Sequence, residues 1–337
     1  MKHVWLVPEN FLERLSEPSS RFHPDYLAYK RGELTKAELI ARLPHVVMIG
    51  DSVCTGIHIS TPWKTFRRAR RCRGRDWFLN VDPATEIESV SNRLEKLTPL
   101  VASHHAGIGA MVDAESDRLW FSRLVLGTRN LSGQINQLVT ANRFPDLILI
   151  SIGHNNVDWA WRSPADELER PQARLQRMSK SFREMFERQL RELVICAREK
   201  PQRISIVVFG LVNFGAYFKG REEAERRRTE DSTLYPHLET TYKYLTSFRP
   251  ALRGNVIRLA QMVNDELRMM IDDLNRERVV NENIQLRYSD ALATADLSRA
   301  ELLHGVDGWH ASVAGHNVLA EAAFADLGSS LEFLGLN

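Results

Sequence analysis

Cysteine is scarce in this sequence, and none of it stands at a spacing that chemistry uses. Cys54, Cys72 and Cys196 are the three present in 337 residues. No C-x-x-C pair and no zinc-ligand spacing occurs among them, which excludes a disulfide framework and points to a reduced compartment. Long apolar runs are missing too, and no stretch reaches the length that a membrane-spanning helix needs. The first residues carry Glu9 and Glu13 and no extended apolar segment, so a secretory leader is not expected and a cytoplasmic protein is. Net charge is almost absent: 45 Lys and Arg stand against 43 Asp and Glu, a formal +2. A balance that close offers no global attraction to nucleic acid or to an anionic membrane. Also lacking are a phosphate-binding glycine loop, a Gly-x-Ser-x-Gly elbow and a His-Glu-x-x-His pair. Their absence sets aside P-loop nucleotide hydrolases, elbow-type α/β-hydrolases and zincin metalloproteases.

What is present is an ordinary globular composition, 43% hydrophobic and 26% charged. Four apolar runs bounded by turn residues predict strands at His45–Ile49, Leu147–Ile152, Ile204–Phe209 and Ile284–Tyr288, with a weaker one around Leu100–Ser103. The first three of these four are nearly continuous, as in strands covered on both faces. Between the runs, apolar residues recur at three- and four-residue steps, which predicts helices over Ala84–Leu97, Leu131–Leu138, Asp166–Lys200 and Val256–Leu274. Alternating strand and helix predicts a parallel sheet with crossover helices. Residues 1–43 read as an N-terminal extension, and 215–256 as a charged, aromatic insertion in a main domain spanning 44–330.

In open sheets of this kind the working residues gather at the carboxyl ends of strands. The first strand ends in Gly50–Asp51–Ser52, where a serine on a tight turn can project its hydroxyl. The run Leu147–Ile152 ends in Gly153–His154–Asn155–Asn156, and a side-chain amide there can donate to an oxyanion; a pair of turn-forming asparagines is the plainer reading. Near the C-terminus stands Asp307–Gly308–Trp309–His310. An Asp three residues before a His can fold back onto its imidazole and stabilise the imidazolium, or it can cap the following helix.

The three blocks together, in this order, resemble the SGNH hydrolases, also called GDSL esterases and lipases, from about residue 45 to residue 325. The resemblance implies a three-layer α/β/α sandwich with a mostly parallel, flavodoxin-like central sheet plus helical insertions. It implies Ser52 as nucleophile, His310 as general base and Asp307 as its orienter. The oxyanion hole it implies consists of the Ser52 N–H, a glycine N–H and the Asn155 amide. For the glycine, Gly109 in His105–Ala106–Gly107–Ile108–Gly109 is chosen, with Gly107 as its competitor, because this block lacks the family's anchoring asparagine. Asn156 stands where the family commonly has aspartate. The implied activity is ester hydrolysis through an acyl-serine, on a lipid or an acylated small molecule or sugar, with no metal or organic cofactor and no nucleic-acid partner. Acyl transfer by the same triad, or a non-catalytic binding module on this fold, are the alternatives.

Other features weigh less. Six arginines between Arg67 and Arg75 could hold an anionic group near the nucleophile or form a solvated basic surface. Arg73–Gly74 ahead of Trp77 is similar to phospholipase B-like members of the family. Trp159, Trp161 and Trp309 could wall a pocket or belong to the core. His104 and His105 lack carboxylate or thiolate partners at metal-ligand spacing. Cys54 does not occupy the nucleophile position of its block, and His316 is expected to pack or hydrogen-bond at the start of the last helix.

Overall fold

The computed structural model describes residues 4–7, 10–56, 74–112, 130–141, 143–160, 171–235, 238, 250–277, 281–305 and 308–336. The chain opens with β1 (Val4–Leu6), α1 (Phe11–Ser16), α2 (His23–Lys30), α3 (Lys36–Arg42), β2 (His45–Gly50), α4 (Val90–Leu97) and β3 (Val101–His104). The middle of the chain contributes α5 (Leu131–Val139), β4 (Leu147–Ser151), α6 (His154–Trp159), α7 (Pro171–Arg198) and β5 (Ile204–Phe209). There follow α8 (Phe214–Glu230), α9 (Pro250–Arg276), β6 (Ile284–Ser289), α10 (Val313–Ala325) and α11 (Gly328–Leu334).

The strands form one sheet in the order β1-β3-β2-β4-β5-β6. From β3 to β6 every pairing is parallel, and β1 adds an antiparallel edge beside β3. Numbered within the parallel part, this is the flavodoxin-like order 2-1-3-4-5. Helices α5, α7 and α9 pack in series on one face, while α4 packs on α10 and α11 lies against β5. The fold is thus the three-layer α/β/α sandwich that alternating strands and helices imply. No helix among the described residues is long and apolar enough to cross a membrane.

Burial follows position in the sheet. All residues of β2, β3, β4 and β5 are buried. The edge strand β6 instead alternates, with Ile284 and Leu286 inside and Gln285 and Arg287 half-buried. Strand β3 carries two polar residues into the interior: Ser103 pairs with His45 Nε2 at 2.8 Å, and His104 Nε2 contacts the Asp76 carboxylate at 3.2 Å, while His104 Nδ1 has no hydrogen-bond partner among the described residues. Burial pushes the His45 imidazole down to about 3.

Helix boundaries differ from the sequence pattern where capping overrides periodicity. The helix expected from Ala84 begins at Val90, because Ser89 and Asn92 form a reciprocal capping box. Residues Pro83–Thr85 make a separate single turn, and Ile87 is buried without being helical. Helix α9 starts at Pro250, six residues before the expected Val256 and inside the stretch read as an insertion. Of the helix expected over Asp166–Lys200, Pro171–Arg198 is observed and residues 166–170 lie outside the described residues.

The N-terminal stretch has a small core of its own, in which Phe11, Leu15, Phe22, Leu39 and Leu43 pack with Val101 of β3. Beside this layer, Glu95 of α4 carries a buried carboxylate oxygen with no hydrogen-bond partner among the described residues. Burial raises its carboxyl from the ordinary 4.5 to about 7, with Arg14 pulling the other way. An acid whose folded pKa lies above its unfolded one binds more protons folded than unfolded, so this site weakens the fold as pH climbs from 4.5 to 7. Glu95→Gln should therefore stabilise the protein at pH 8 and change little at pH 4.5, read by urea denaturation at both. Equal shifts at the two pH values would remove Glu95 as the cause.

Candidate active site

Strand β2 ends in a glycine because nothing larger fits. A Cβ on Gly50 would sit 2.4 Å from the Ser151 carbonyl oxygen and 2.7 Å from Cys54 Sγ. The Gln134 side chain clamps this residue from α5, accepting from the Gly50 N–H at 2.7 Å and donating to its carbonyl at 2.9 Å. The Asp51 N–H then donates to the Ser151 carbonyl, and the chain turns into the single helical turn Ser52–Cys54.

Asp51 is fully buried and caps that turn, its Oδ1 accepting from the Val53 N–H at 3.1 Å. Its Oδ2 accepts from three donors at the end of β4: the Gly153 N–H and His154 N–H, each at 3.1 Å, and His154 Nδ1 at 2.9 Å. His154 Nε2 in turn accepts from the Val212 N–H at 3.2 Å, just past β5. That bond fixes the tautomer, leaving the ring proton on Nδ1 and aimed at Asp51. Gly153 makes the arrangement possible. Its φ of +128° excludes other residues, and a Cβ there would meet the Phe182 ring at 2.8 Å.

The glycine block follows β3. The Gly107 N–H donates to the Gly50 carbonyl at 3.0 Å, and the Ala110 N–H closes a four-residue turn onto the Gly107 carbonyl. Gly109, at φ +72°, is the third residue of that turn. The Gly107 N–H is thus already engaged, whereas among the described residues neither the Gly109 nor the Ser52 N–H donates to a protein acceptor. Asn155 Nδ2 donates to the Ala110 carbonyl at 2.9 Å, and Asn156 Oδ1 accepts from the Val112 N–H at 3.0 Å. Both asparagines therefore dock on the glycine block rather than merely turning the chain.

His310 is half-buried on a loop whose ends are paired. Leu303 bridges Ala311, the His304 N–H donates to the His310 carbonyl at 2.7 Å, and the Gly308 N–H donates back to the His304 carbonyl at 2.8 Å. Asp307 lies outside the described residues. The capping position of α10 belongs to Ser312, whose hydroxyl accepts from the Gly315 N–H at 3.2 Å. Two contacts tie this loop and helix to the turns after β2 and β4. Trp77 donates its N–H to His316 Nδ1 at 3.2 Å and its indole N–H to the Val53 carbonyl at 3.1 Å. Phe214 meets Trp309 at 6.1 Å and His154 at 6.2 Å between ring centroids. Burial pushes the His316 imidazole down to about 4.

Ser52, Gly109 and Asn155 thus stand at one end of the sheet, beyond the carboxyl ends of β2, β3 and β4. This is the crevice where the strand order reverses. Cys54 is no competitor for Ser52: its thiol donates to the Ser151 carbonyl at 3.3 Å, and burial, with Asp51 nearby, raises it well above its ordinary range. His105 Nδ1 pairs with Gln137 Oε1 at 3.0 Å, and no group of three or more His, Cys, Asp or Glu able to hold a metal occurs among the described residues. Most of the arginine run, from Arg67 to Arg73, lies outside the described residues together with Trp161, while Arg75 pairs with Asp82 at 2.8 Å. Local pattern alone does not reveal the partnership of Asp51 with His154; a polar residue just past each of two largely apolar strands was the available signal.

Among solved structures, the chain is similar to a lipase from a goat rumen metagenome, at 13% identity over 84% of this chain and 96% of that one, with a TM-score of 0.46. It is also similar to phospholipase A1 from Streptomyces albidoflavus NA297, at 17% identity over 85% and 99%, with a TM-score of 0.43. No curated protein sequence matches it. A family model described as GDSL-like Lipase/Acylhydrolase matches residues 46–323. With most of the chain inside that match, from the second residue of β2 to within two residues of the end of α10, the protein belongs to the GDSL-like lipase and acylhydrolase family and is an ester hydrolase of the SGNH kind.

Proposed function

We propose that the protein hydrolyses carboxylic esters of lipids or acylated small molecules through an acyl-serine on Ser52. His310 takes the hydroxyl proton as Ser52 Oγ attacks the ester carbonyl carbon, and Asp307 stabilises the imidazolium that results. The tetrahedral oxyanion is met by the N–H groups of Ser52 and Gly109 and by the Asn155 amide. Collapse breaks the carbon–oxygen bond to the alcohol, which leaves with the proton held by His310. Water then repeats the sequence on the acyl-enzyme and regenerates the free serine.

The bond from Asn155 to the Ala110 carbonyl carries this reading. A primary amide has two N–H hydrogens. With one held by the peptide next to Gly109, the amide plane is set and the other hydrogen is left for a ligand. Rigid donors of this kind stabilise a developing charge without reorganising when it forms. The strand-end placement of Ser52 and the engagement of Gly107 elsewhere support the choice of Gly109.

A fluorophosphonate probe should label Ser52 stoichiometrically, and Ser52→Ala should abolish both labelling and turnover of p-nitrophenyl esters. Labelling at another serine with Ser52 untouched would overturn the assignment. A chain-length series of those esters then separates use on short acyl groups from lipase-like use, and product analysis with added alcohol separates hydrolysis from acyl transfer. Asn155→Ala should slow acylation by about a hundred- to a thousandfold while the melting curve stays near that of the parent. Near-normal turnover in that variant would reduce Asn155 to a loop residue.

A further inference from the structure

Helix α8 leaves the end of β5 and delivers two polar side chains to the loop that carries His310. The Tyr217 hydroxyl lies between the carbonyl oxygens of Gly308, at 3.2 Å, and Trp309, and donates its proton to the pair. Arg221, one turn further on, is completely buried. Its Nη1 donates to the Gly308 carbonyl at 3.3 Å and its Nη2 to the Leu238 carbonyl at 3.1 Å, while Nε pairs with Glu225 at 3.1 Å. Glu225 also accepts from Arg253 of α9 at 3.1 Å, so the guanidinium is held from behind by a second helix. The Tyr217 ring packs edge-on against Trp309 with centroids 4.7 Å apart.

We propose that Tyr217, backed by Arg221, is a positioning residue for His310. The inference rests on the reading of His310 as the general base. The Trp309 carbonyl belongs to the same rigid peptide plane as the His310 nitrogen and Cα. A donor that pins that oxygen therefore sets the direction in which the His310 side chain leaves the backbone. The plane before it, ending in the Gly308 carbonyl, is pinned by the same hydroxyl and by Arg221. On the far side, the His310 carbonyl accepts from the His304 N–H. The backbone on both sides of the base is thus fixed by side-chain or cross-loop donors, where a strand would supply ladder bonds. Displacing a catalytic group by about 1 Å can cost a hundredfold in rate, so a loop left to itself would be costly here.

Tyr217→Phe keeps the ring against Trp309 and removes only the donor. Turnover of p-nitrophenyl acetate should fall about ten- to a hundredfold per active site titrated with fluorophosphonate, with KM within twofold of the parent. In a His310→Ala background, where slow residual turnover persists, the same substitution should change nothing further, because an effect that acts through His310 vanishes with it. Equal losses in both backgrounds would overturn the proposal. So would a loss of titratable sites with unchanged turnover per site, which would assign the hydroxyl to the fold alone. Full activity in His310→Ala would overturn the reading of the base itself and this proposal with it. An inactive His310→Ala beside a normal Tyr217→Phe would overturn only the positioning role. Should Tyr217→Phe fail to fold, Arg221→Lys is read by the same criteria, since it retains the cation and loses the fork.

Discussion

The Asp51 carboxylate accepts four hydrogen bonds from two strand-end segments, and through His154 it reaches a third. The Ser52 turn after β2, the Asn155 turn after β4 and the backbone after β5 all converge on it. Each of these donors is buried or nearly so, and a buried donor deprived of its partner costs about 1–3 kcal/mol. Any rotation of one segment against the others therefore breaks several bonds at once. The glycines at 50 and 153 are consequences of the same constraint. One permits the close approach of β2 to the Ser151 carbonyl, and the other turns two successive N–H groups towards a single oxygen.

The sheet order explains why this convergence is possible. With β2 flanked by β3 and β4, chains leaving these strands depart to opposite faces and open a crevice between them. The Gly50 carbonyl is shared by Gln134 and the Gly107 N–H, which ties the glycine block to the Ser52 turn across that crevice. Asn155 and Asn156 then reach over from β4 to the Ala110 carbonyl and the Val112 N–H. The aspartate that the family commonly carries after its asparagine is absent here. Asn156 uses its carbonyl oxygen as an acceptor for the Val112 N–H, a role that needs no charge.

Legibility in the sequence tracked how local each signal is. Strands β2, β4 and β5 could be read because burial on both faces leaves uninterrupted apolar runs. Strand β3 was faint because Ser103 and His104 are inside it, contacting His45 and Asp76 from distant segments, and no local pattern reports a partner elsewhere. The three residues of β1 are too few to show any period. The blocks around Ser52, Asn155 and His310, expected to form the catalytic site, stand out in the sequence because turn residues and polar side chains coincide within a few positions. Arg221 was hidden for the opposite reason. It adjoins the charged run Glu222–Arg228, whose other members resemble a solvated helix face, and only the fold shows that this one points inward at a carbonyl.

The residues proposed as nucleophile and oxyanion donors and the one proposed as base are held by different means, and the difference follows from where they sit. Ser52 and Asn155 follow directly from strands whose ladder bonds extend almost to the residue concerned, so the sheet itself orients them. His310 precedes α10 on a loop that the sheet does not reach, and its placement is assembled from cross-loop backbone bonds and side chains. Trp77 contributes by bonding His316 at the start of α10 and the Val53 carbonyl in the Ser52 turn, a single residue measuring one against the other. Helix α8 contributes from the opposite side through Tyr217 and Arg221. On the proposed roles, helix α8 supplies to the His310 loop, through Tyr217 and Arg221, the rigidity that strands provide to Ser52 and Asn155.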